Sequence, residues 1–598
     1  WLSGFPFKSP QVVISMFWRL VWGTYDACWR TWYAVHVEHK GAYSLGRLQM
    51  LHHFLHQQKS RVATVLLNLT IAVVTPVPCL VIALLSDAIP LAPPENGPRG
   101  NGMFWARSWL IMGSFTLAVL MPMHHPCIAP IPERRLWLYL LSAGISAMYT
   151  GFYFAVALAI GFPVPFSYLT LNIVWISLIV AGLWVYMGPA CRSSALVRKR
   201  LKLHAIFIYA ASSLAVVYPL FYYAFLHARE YASTQFLLTF ALPVIKMMEK
   251  LLLYHTTGHA PDLQPVFIAF NIEVFNALFV SSCMRNATSV SVTMMLMVAD
   301  FMGACAALYG LRNIMLRVDE LNGKMGPEAT RARMIDIAGF IAKHHHLDCL
   351  VTQEDSVESR CSNSTHVSAV APWVDENSSD TGKAGWGENV KNGSNNLSIV
   401  KNSKPAIDPP HVPSKIAWDN KKKSAKQSAV VPAEITLPSQ FNRGPSVKGM
   451  TSNSFHMVEL LTAKERQQFI HETCRILRQV EFLLLVEYTE VIVPMVYVYH
   501  LPNRKYFPYL HEMSETDLAN TICSILIYGS LQLLSFILLL VALKQRFRLD
   551  PGTTLRFVLD SEWRVVQGQF VLWIIYVLQS SIQHVGTDYT FQFSWLFK

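Results

Sequence analysis

The sequence predicts an all-α polytopic integral membrane protein, with about eleven membrane-crossing helices and one long, partly disordered cytoplasmic loop. Three observations predict it. Charged residues make up 15 % of the 598-residue chain, against roughly 25 % in soluble domains. The apolar residues arrive in blocks of about twenty, the length that spans a bilayer core, where a soluble protein would interleave polar positions at helical or strand period. Finally, Lys and Arg gather in alternate short loops, as positive-inside topology requires. The net charge of +12 comes from those loops and needs no nucleic-acid partner. Ten scattered cysteines without a CxxC pair exclude a disulfide framework or a Cys-type metal cluster.

The first element is the N-terminal segment. Residues 1–61 are aromatic and basic, and Val12–Val35 is interrupted by Arg19, Asp26 and Arg30, so this segment reads as interfacial rather than spanning. Eight spans fill residues 62–311: about Val62–Leu85, Phe104–Met123, Leu136–Phe162, Pro165–Met187, Leu203–Leu226, Ser233–Tyr254, Pro265–Met284 and Thr288–Leu311. In the third, Ser142, Ser146, Ala143, Ala147 and Gly151 give the small-residue spacing of close helix contact. A polar region, 312–478, separates them from three more spans in 479–598: about Gln479–His500, Ala519–Leu543 and Gly568–Val585.

Orientation comes from the loops. Arg134 and Arg135, then Arg192, Arg198, Lys199, Arg200 and Lys202, then Lys544, Arg546, Arg548, Arg556 and Arg564 all fall on one side with the N-terminus. The other side holds Arg99, Arg229, Arg285, Arg504 and Lys505. The N-terminus is therefore expected in the cytoplasm and the C-terminus outside, in a plasma membrane or endomembrane.

Within the polar region, residues 352–452 are rich in Ser, Asn, Lys and Pro and poor in aromatics. Such a segment buries too little apolar surface to offset its ordering entropy. Its basic half, with Lys415, Lys421, Lys422, Lys423 and Lys426, suits anionic lipid or cytoplasmic proteins. Sequons at Asn363, Asn377, Asn392 and Asn396 would need a lumenal loop, which the charge pattern disfavours. Helices are expected on either side, about Pro327–His344 and from near Thr462. There Thr462 and Glu465 have capping-box spacing. Phe469, Ile470, Cys474, Leu477 and Val480 make an apolar stripe, which suggests a helix along the membrane surface leading into the ninth span.

Chemistry is expected at ionisable groups inside the spans, each costing several kcal/mol if it faces lipid. Glu273 and Asn276 share a face of the seventh span, Asp300 lies mid-eighth, and Glu487 and Glu490 share a face of the ninth, since residues three apart are neighbours on a helix. With Lys246 of the sixth span as counter-charge, they form a candidate intramembrane polar site for a cation or proton relay. The alternative is a buried pair that only fixes helix packing. Glu249 and Lys250 read as snorkelling to the interface. His52 and His56 stand i, i+4, a spacing that can share a metal. No third ligand is identifiable in the sequence, so neither a metal nor a cofactor is expected. No phosphate loop, dinucleotide turn, HExxH or nucleophile elbow occurs, so the chain does not read as an enzyme.

Around the ninth span, Glu487-Tyr488-Thr489-Glu490 is followed by Pro494, Asn503, Tyr506, Pro508 and Tyr509, while the seventh span reads IEVFNALFVSSCM. These segments resemble a large family of oomycete multi-pass membrane proteins of unassigned function. The resemblance implies a membrane protein and no particular activity. A transporter or channel-like protein is the leading functional expectation. A receptor or scaffold acting through the 352–452 loop is the alternative.

Overall fold

The computed structural model describes residues 40–57, 60–125, 134–228, 231–285, 290–326, 333–344, 458–500, 515–580 and 582–588, together with 128, 593 and 595. Val12–Val35, the sequons and the 352–452 loop lie outside the described residues.

The described residues form helices and no β-strand. They are α1 (Leu45–His56), α2 (Arg61–Val74), α3 (Val77–Asp87), α4 (Gly102–Leu120), α5 (Arg135–Ile160), α6 (Asn172–Tyr186), α7 (Ala195–Ser212), α8 (Leu214–His227), α9 (Ala232–Thr239) and α10 (Ala241–Thr256). After these come α11 (Gln264–Arg285), α12 (Val290–Met325), α13 (Met334–His344), α14 (Ala463–His500), α15 (Glu515–Phe547), α16 (Pro551–Ser561) and α17 (Trp563–Ser580). Each of the eleven apolar blocks therefore falls on helix.

Among the described residues, six stretches are long and apolar enough to cross a membrane: Arg61–Asp87, Gly102–His124, Arg135–Ile160, Ala195–His227, Ala463–Tyr499 and Leu518–Gln545. Asn172–Tyr186 and Gln264–Val280 are apolar but shorter. The sixth block is divided between α9 and α10 and carries Lys246, Glu249 and Lys250. The eleventh, α17, is diluted by Arg564, Gln567, Gln569 and Gln579.

The outward faces decide the solvent. Ile527, Leu531, Leu534, Leu538 and Val541 repeat at helical spacing along α15, and all are exposed. On α2, Val62, Val65, Leu66, Leu69 and Val73 are exposed in the same way. A soluble helix turns its polar stripe outward, and contiguous apolar faces of this extent mark contact with lipid or another protein. Together with helix length, they make this a multi-pass membrane bundle.

The bundle is organised on α11, α14 and α17. α14 packs along α11 and α15, and α17 packs on α4 and α11. From Gln264 to Val280, α11 is buried on every side, its polar residues Asn271, Glu273 and Asn276 included. The capping box forms as expected: Thr462 N and Oγ1 donate to Glu465 Oε2 at 3.0 and 2.9 Å, and Glu465 N donates back to Thr462 Oγ1 at 3.3 Å. The helix does lead into the ninth span, but the expectation that it runs along the membrane surface is corrected. α14 runs unbroken for 38 residues, because no Pro or Gly interrupts it before Pro494. At about 1.5 Å per residue it is far longer than the ~30 Å hydrocarbon core. Its stripe of Phe469, Cys474, Leu477 and Val480 is buried and packs inside the protein, against neighbours that include α12 and α13. On α5, Ser142 and Ser146 do face a neighbour: Ser142 Oγ donates to Gly113 O at 2.7 Å, and Ser146 Oγ donates to Trp109 O. Ala147 and Gly151 instead face outward.

One break in the bundle shows how backbone polarity is managed. Pro76 has no N–H, so the carbonyl four residues earlier, Ala72 O, loses its helical donor. Tyr488 Oη of α14 donates to Ala72 O at 2.8 Å, and Gln567 Nε2 donates to the neighbouring Thr75 O at 2.6 Å. In a bilayer such groups must be satisfied within the protein. We expect Tyr488→Phe to lower unfolding stability in detergent by about 1–3 kcal/mol. The loss should shrink in a Pro76→Ala background, where the residue-76 amide again bonds Ala72 O. Equal losses in both backgrounds would exclude this role for Tyr488.

Candidate functional site

α10 packs on α7 and α11, and α14 lies along α11. That arrangement brings Lys246 and Lys250, one turn apart on α10, against Glu273 of α11. Lys246 Nζ is 2.7 Å from Glu273 Oε2 and 3.0 Å from Glu490 Oε1, while Lys250 Nζ is 3.0 Å from Glu273 Oε1. The Glu273 side chain is fully enclosed, and that of Glu490 is 4 % exposed. Two ammonium groups thus straddle one carboxylate, and Lys246 joins three helices.

The other predicted residues sort themselves around this centre. Glu487, one turn before Glu490, is buried. Asn276, one turn after Glu273, is buried with its amide unbonded among the described residues. Asp300 lies in α12, but its side chain is outside the described residues. The snorkelling expectation for Lys250 and Glu249 is corrected. Both are buried, with Lys250 turned onto Glu273 and Ser213 Oγ donating to Glu249 Oε2 at 3.0 Å. The reason is local, since a carboxylate at the centre of α11 leaves an ammonium a better partner inside than at the interface.

Two carboxylates, Glu273 and Glu490, thus share the two ammonium groups of Lys246 and Lys250, and Glu487 is buried one turn from Glu490. In a low-dielectric interior, gain or loss of one proton in such a network changes its balance strongly.

α11 has a second role. Phe267 and Asn271 line a narrow cavity of about 70 Å³, walled also by Phe115 of α4, Trp175 of α6, Phe207 of α7, and Trp573 and Tyr576 of α17. Its aromatic lining with a few polar groups has the character of a small-molecule pocket. Trp573 Nε1 donates to Asn271 Oδ1 at 2.7 Å. Three further buried groups on the wall, Tyr149 Oη, His204 Nδ1 and Gln569 Oε1, have no hydrogen-bond partner among the described residues. Asn271 and Glu273 are two residues apart and so point to opposite faces of α11. One helix thus has the cavity on one side and the ion network on the other.

Two more buried clusters escaped sequence reading. Arg47 of α1 reaches Glu481 Oε2 of α14 at 2.9 Å and Glu562 Oε1, between α16 and α17, at 2.7 Å. Tyr43 Oη also donates to Glu481, and burial beside that carboxylate pushes the phenol well above its usual value, keeping it a donor. His125 lies 3.6 Å from Glu562. Burial lowers its imidazole below the ordinary range although Glu562 pulls it up, so the charged partner of Glu562 is Arg47. In the other cluster, Arg107 of α4 pairs with Asp87 at the end of α3, and Gln579 of α17 accepts from Arg107 Nε at 3.1 Å and donates to Asp87 at 2.9 Å. A carboxylate inside an apolar run, Glu481, signals that a partner must exist. Nothing in the sequence indicates that it sits 434 positions away.

No protein-family model, curated protein or solved structure matches this chain, so the functional reading rests on the geometry.

Removing one member of a buried pair strands the other, at about 3–5 kcal/mol, whereas replacing the whole set by neutral groups is far milder. Arg47→Met should therefore lower the melting temperature in detergent strongly. Adding Glu481→Gln and Glu562→Gln to it should recover most of the loss. A triple variant no more stable than the single one would show that the cluster is not a charge-balanced unit.

Proposed function

We propose that this protein is a transporter-like carrier in which proton or cation occupancy of the α10–α11–α14 network is coupled to a small, largely apolar solute in the aromatic cavity. The observation that carries this reading is that α11 presents Phe267 and Asn271 to the cavity and Glu273 to Lys246 and Lys250. When Glu490 is ionised, its carboxylate competes with Glu273 for Lys246. Lys246 then divides between Glu273 and Glu490, and α10, α11 and α14 are drawn together. A proton on Glu490 releases Lys246 to Glu273 alone, which loosens α14 from α11. A displacement of α11 is transmitted to the cavity wall through Asn271 and its bond from Trp573. Buried ionisable residues in membrane spans are commonly part of such relays.

We further propose that the eleven helical blocks cross the bilayer eleven times, with a cytoplasmic N-terminus and an external C-terminus. In that topology the 352–452 loop is cytoplasmic and available to anionic lipid or cytoplasmic proteins. Kinship with the oomycete multi-pass family fits this arrangement, as does a carrier rather than a catalyst.

The test needs no known solute. Proteoliposomes adsorbed on a sensor electrode are exposed to a rapid pH step, and the transient current from protons entering an intramembrane site is recorded. The wild type should give a protein-dependent transient. Glu490→Gln and Glu487→Gln should each reduce the charge moved at least severalfold, and Glu465→Gln, at the exposed cap, should leave it unchanged. A wild type without a transient would contradict proton coupling.

A further inference from the structure

Away from the ion network, α1 and α13 pack together and bring three metal-type ligands to one point. His52 and His56 stand one turn apart on α1, with ring centroids 4.5 Å apart. Asp336, in the first turn of α13, supplies the third ligand that the sequence could not locate. Its Oδ1 is 3.2 Å from His56 Nε2 and 3.9 Å from His52 Nε2. One ligand atom from each residue lies within 4.8 Å of the other two.

Two local features build this arrangement. Arg333 Nε holds the other carboxylate oxygen, Oδ2, at 2.9 Å, which leaves Oδ1 directed at both imidazoles. Gly339, one turn further along α13, sits directly against the His52 ring, where a Cβ would fall 2.7 Å from ring carbons. Only glycine lets the imidazole lie this close to α13. All three ligand side chains keep some contact with solvent, at 24 %, 38 % and 19 % for His52, His56 and Asp336, so an ion has a path in.

We propose that His52, His56 and Asp336 bind a divalent transition-metal ion of the zinc class, with water completing the coordination. Nitrogen ligands select such ions over calcium or magnesium. With bonds of about 2.0–2.1 Å, two ligand atoms on a tetrahedral zinc stand roughly 3.3 Å apart, so the three groups need only small side-chain rotations to close on the ion. The bound ion would staple α1 to α13. α1 also carries Arg47 of the Glu481–Glu562 cluster, and α13 is the last described helix before the long loop. Metal occupancy would therefore tie the residues preceding that loop to the membrane bundle.

The experiment uses the full chain, purified in detergent and freed of metal with a chelator. Zinc binding is measured by equilibrium dialysis for the wild type, His56→Ala, Asp336→Asn and the neighbouring control His53→Ala. Gel filtration checks that each remains folded. The expected result is one equivalent fewer, or affinity at least tenfold weaker, for His56→Ala and Asp336→Asn, with His53→Ala like the wild type. Bound zinc should also raise the wild-type melting temperature and not that of Asp336→Asn. Cobalt(II) added to the wild type gives a readout independent of any variant, the visible absorption of a low-coordinate nitrogen–oxygen site. Equal zinc uptake by wild type and both ligand variants would overturn the proposal, as would a wild type that shows neither zinc uptake nor the cobalt spectrum.

Discussion

A charge buried in an apolar helix bundle has to be matched by another charge or by polar hydrogen-bond partners, and the long helix α14 is where this chain concentrates that requirement. Arg478, Glu481, Glu487 and Glu490 all lie on it and all are buried. Arg478 Nη2 donates to Gln264 Oε1 at 2.6 Å, Glu481 takes Arg47, and Glu490 takes Lys246. Their partners belong to α11, α1 and α10, so the pairings of one helix determine which elements surround it. Tyr488, between the two glutamates, adds the bond that closes the backbone gap left by Pro76. Desolvation makes each charge costly alone and tolerable in combination. The packing around α14 is thus specified more by matching polar groups than by the shape of its apolar residues, since in a membrane the apolar surface gains little from association.

The same constraint gives the network room to change state. A fully balanced ion pair is a static joint. Two carboxylates that compete for Lys246, one of them also holding Lys250, have more than one arrangement, and adding or removing one proton decides among them. Because α11 is buried on all sides, it cannot relax into solvent when that balance shifts. Interfaces packed this tightly move between discrete arrangements rather than deform gradually. The cavity behind Phe267 and Asn271 therefore lies where such a movement would be felt.

Much of this was legible in the sequence. The helical blocks, the Thr462–Glu465 cap and the grouping of Lys246, Glu273 and Glu490 follow from local spacing and from the rule that intramembrane charges must pair. What was not legible depends on contacts between distant segments. Arg47 looked like one of many basic residues in an interfacial N-terminal stretch, and only its meeting with Glu481 and Glu562 makes it structural. Lys250 looked able to snorkel until α11 placed Glu273 within its reach. The stripe of α14 fits a membrane-surface helix and a buried one equally well, because periodicity reports an apolar face without saying what covers it. The cavity is likewise hidden, since its walls come from helices spread from α4 to α17. Asp336 became a partner for His52 and His56 only through the packing of α13 on α1.

The most direct test of the central claim is whether water reaches the ion network. Asn276 is the position of choice, because it is buried one turn from Glu273 and its amide makes no hydrogen bond among the described residues. Asn276→Cys in a background lacking the ten native cysteines leaves every charge in place. Its reaction with a small, polar, membrane-impermeant thiol reagent is followed in reconstituted vesicles across a range of pH. The account predicts labelling at a rate that changes with pH and loses that dependence in Glu490→Gln. A thiol that stays unlabelled at every pH, while an apolar permeant reagent modifies it, would mean the charges are sealed packing elements and would contradict the account.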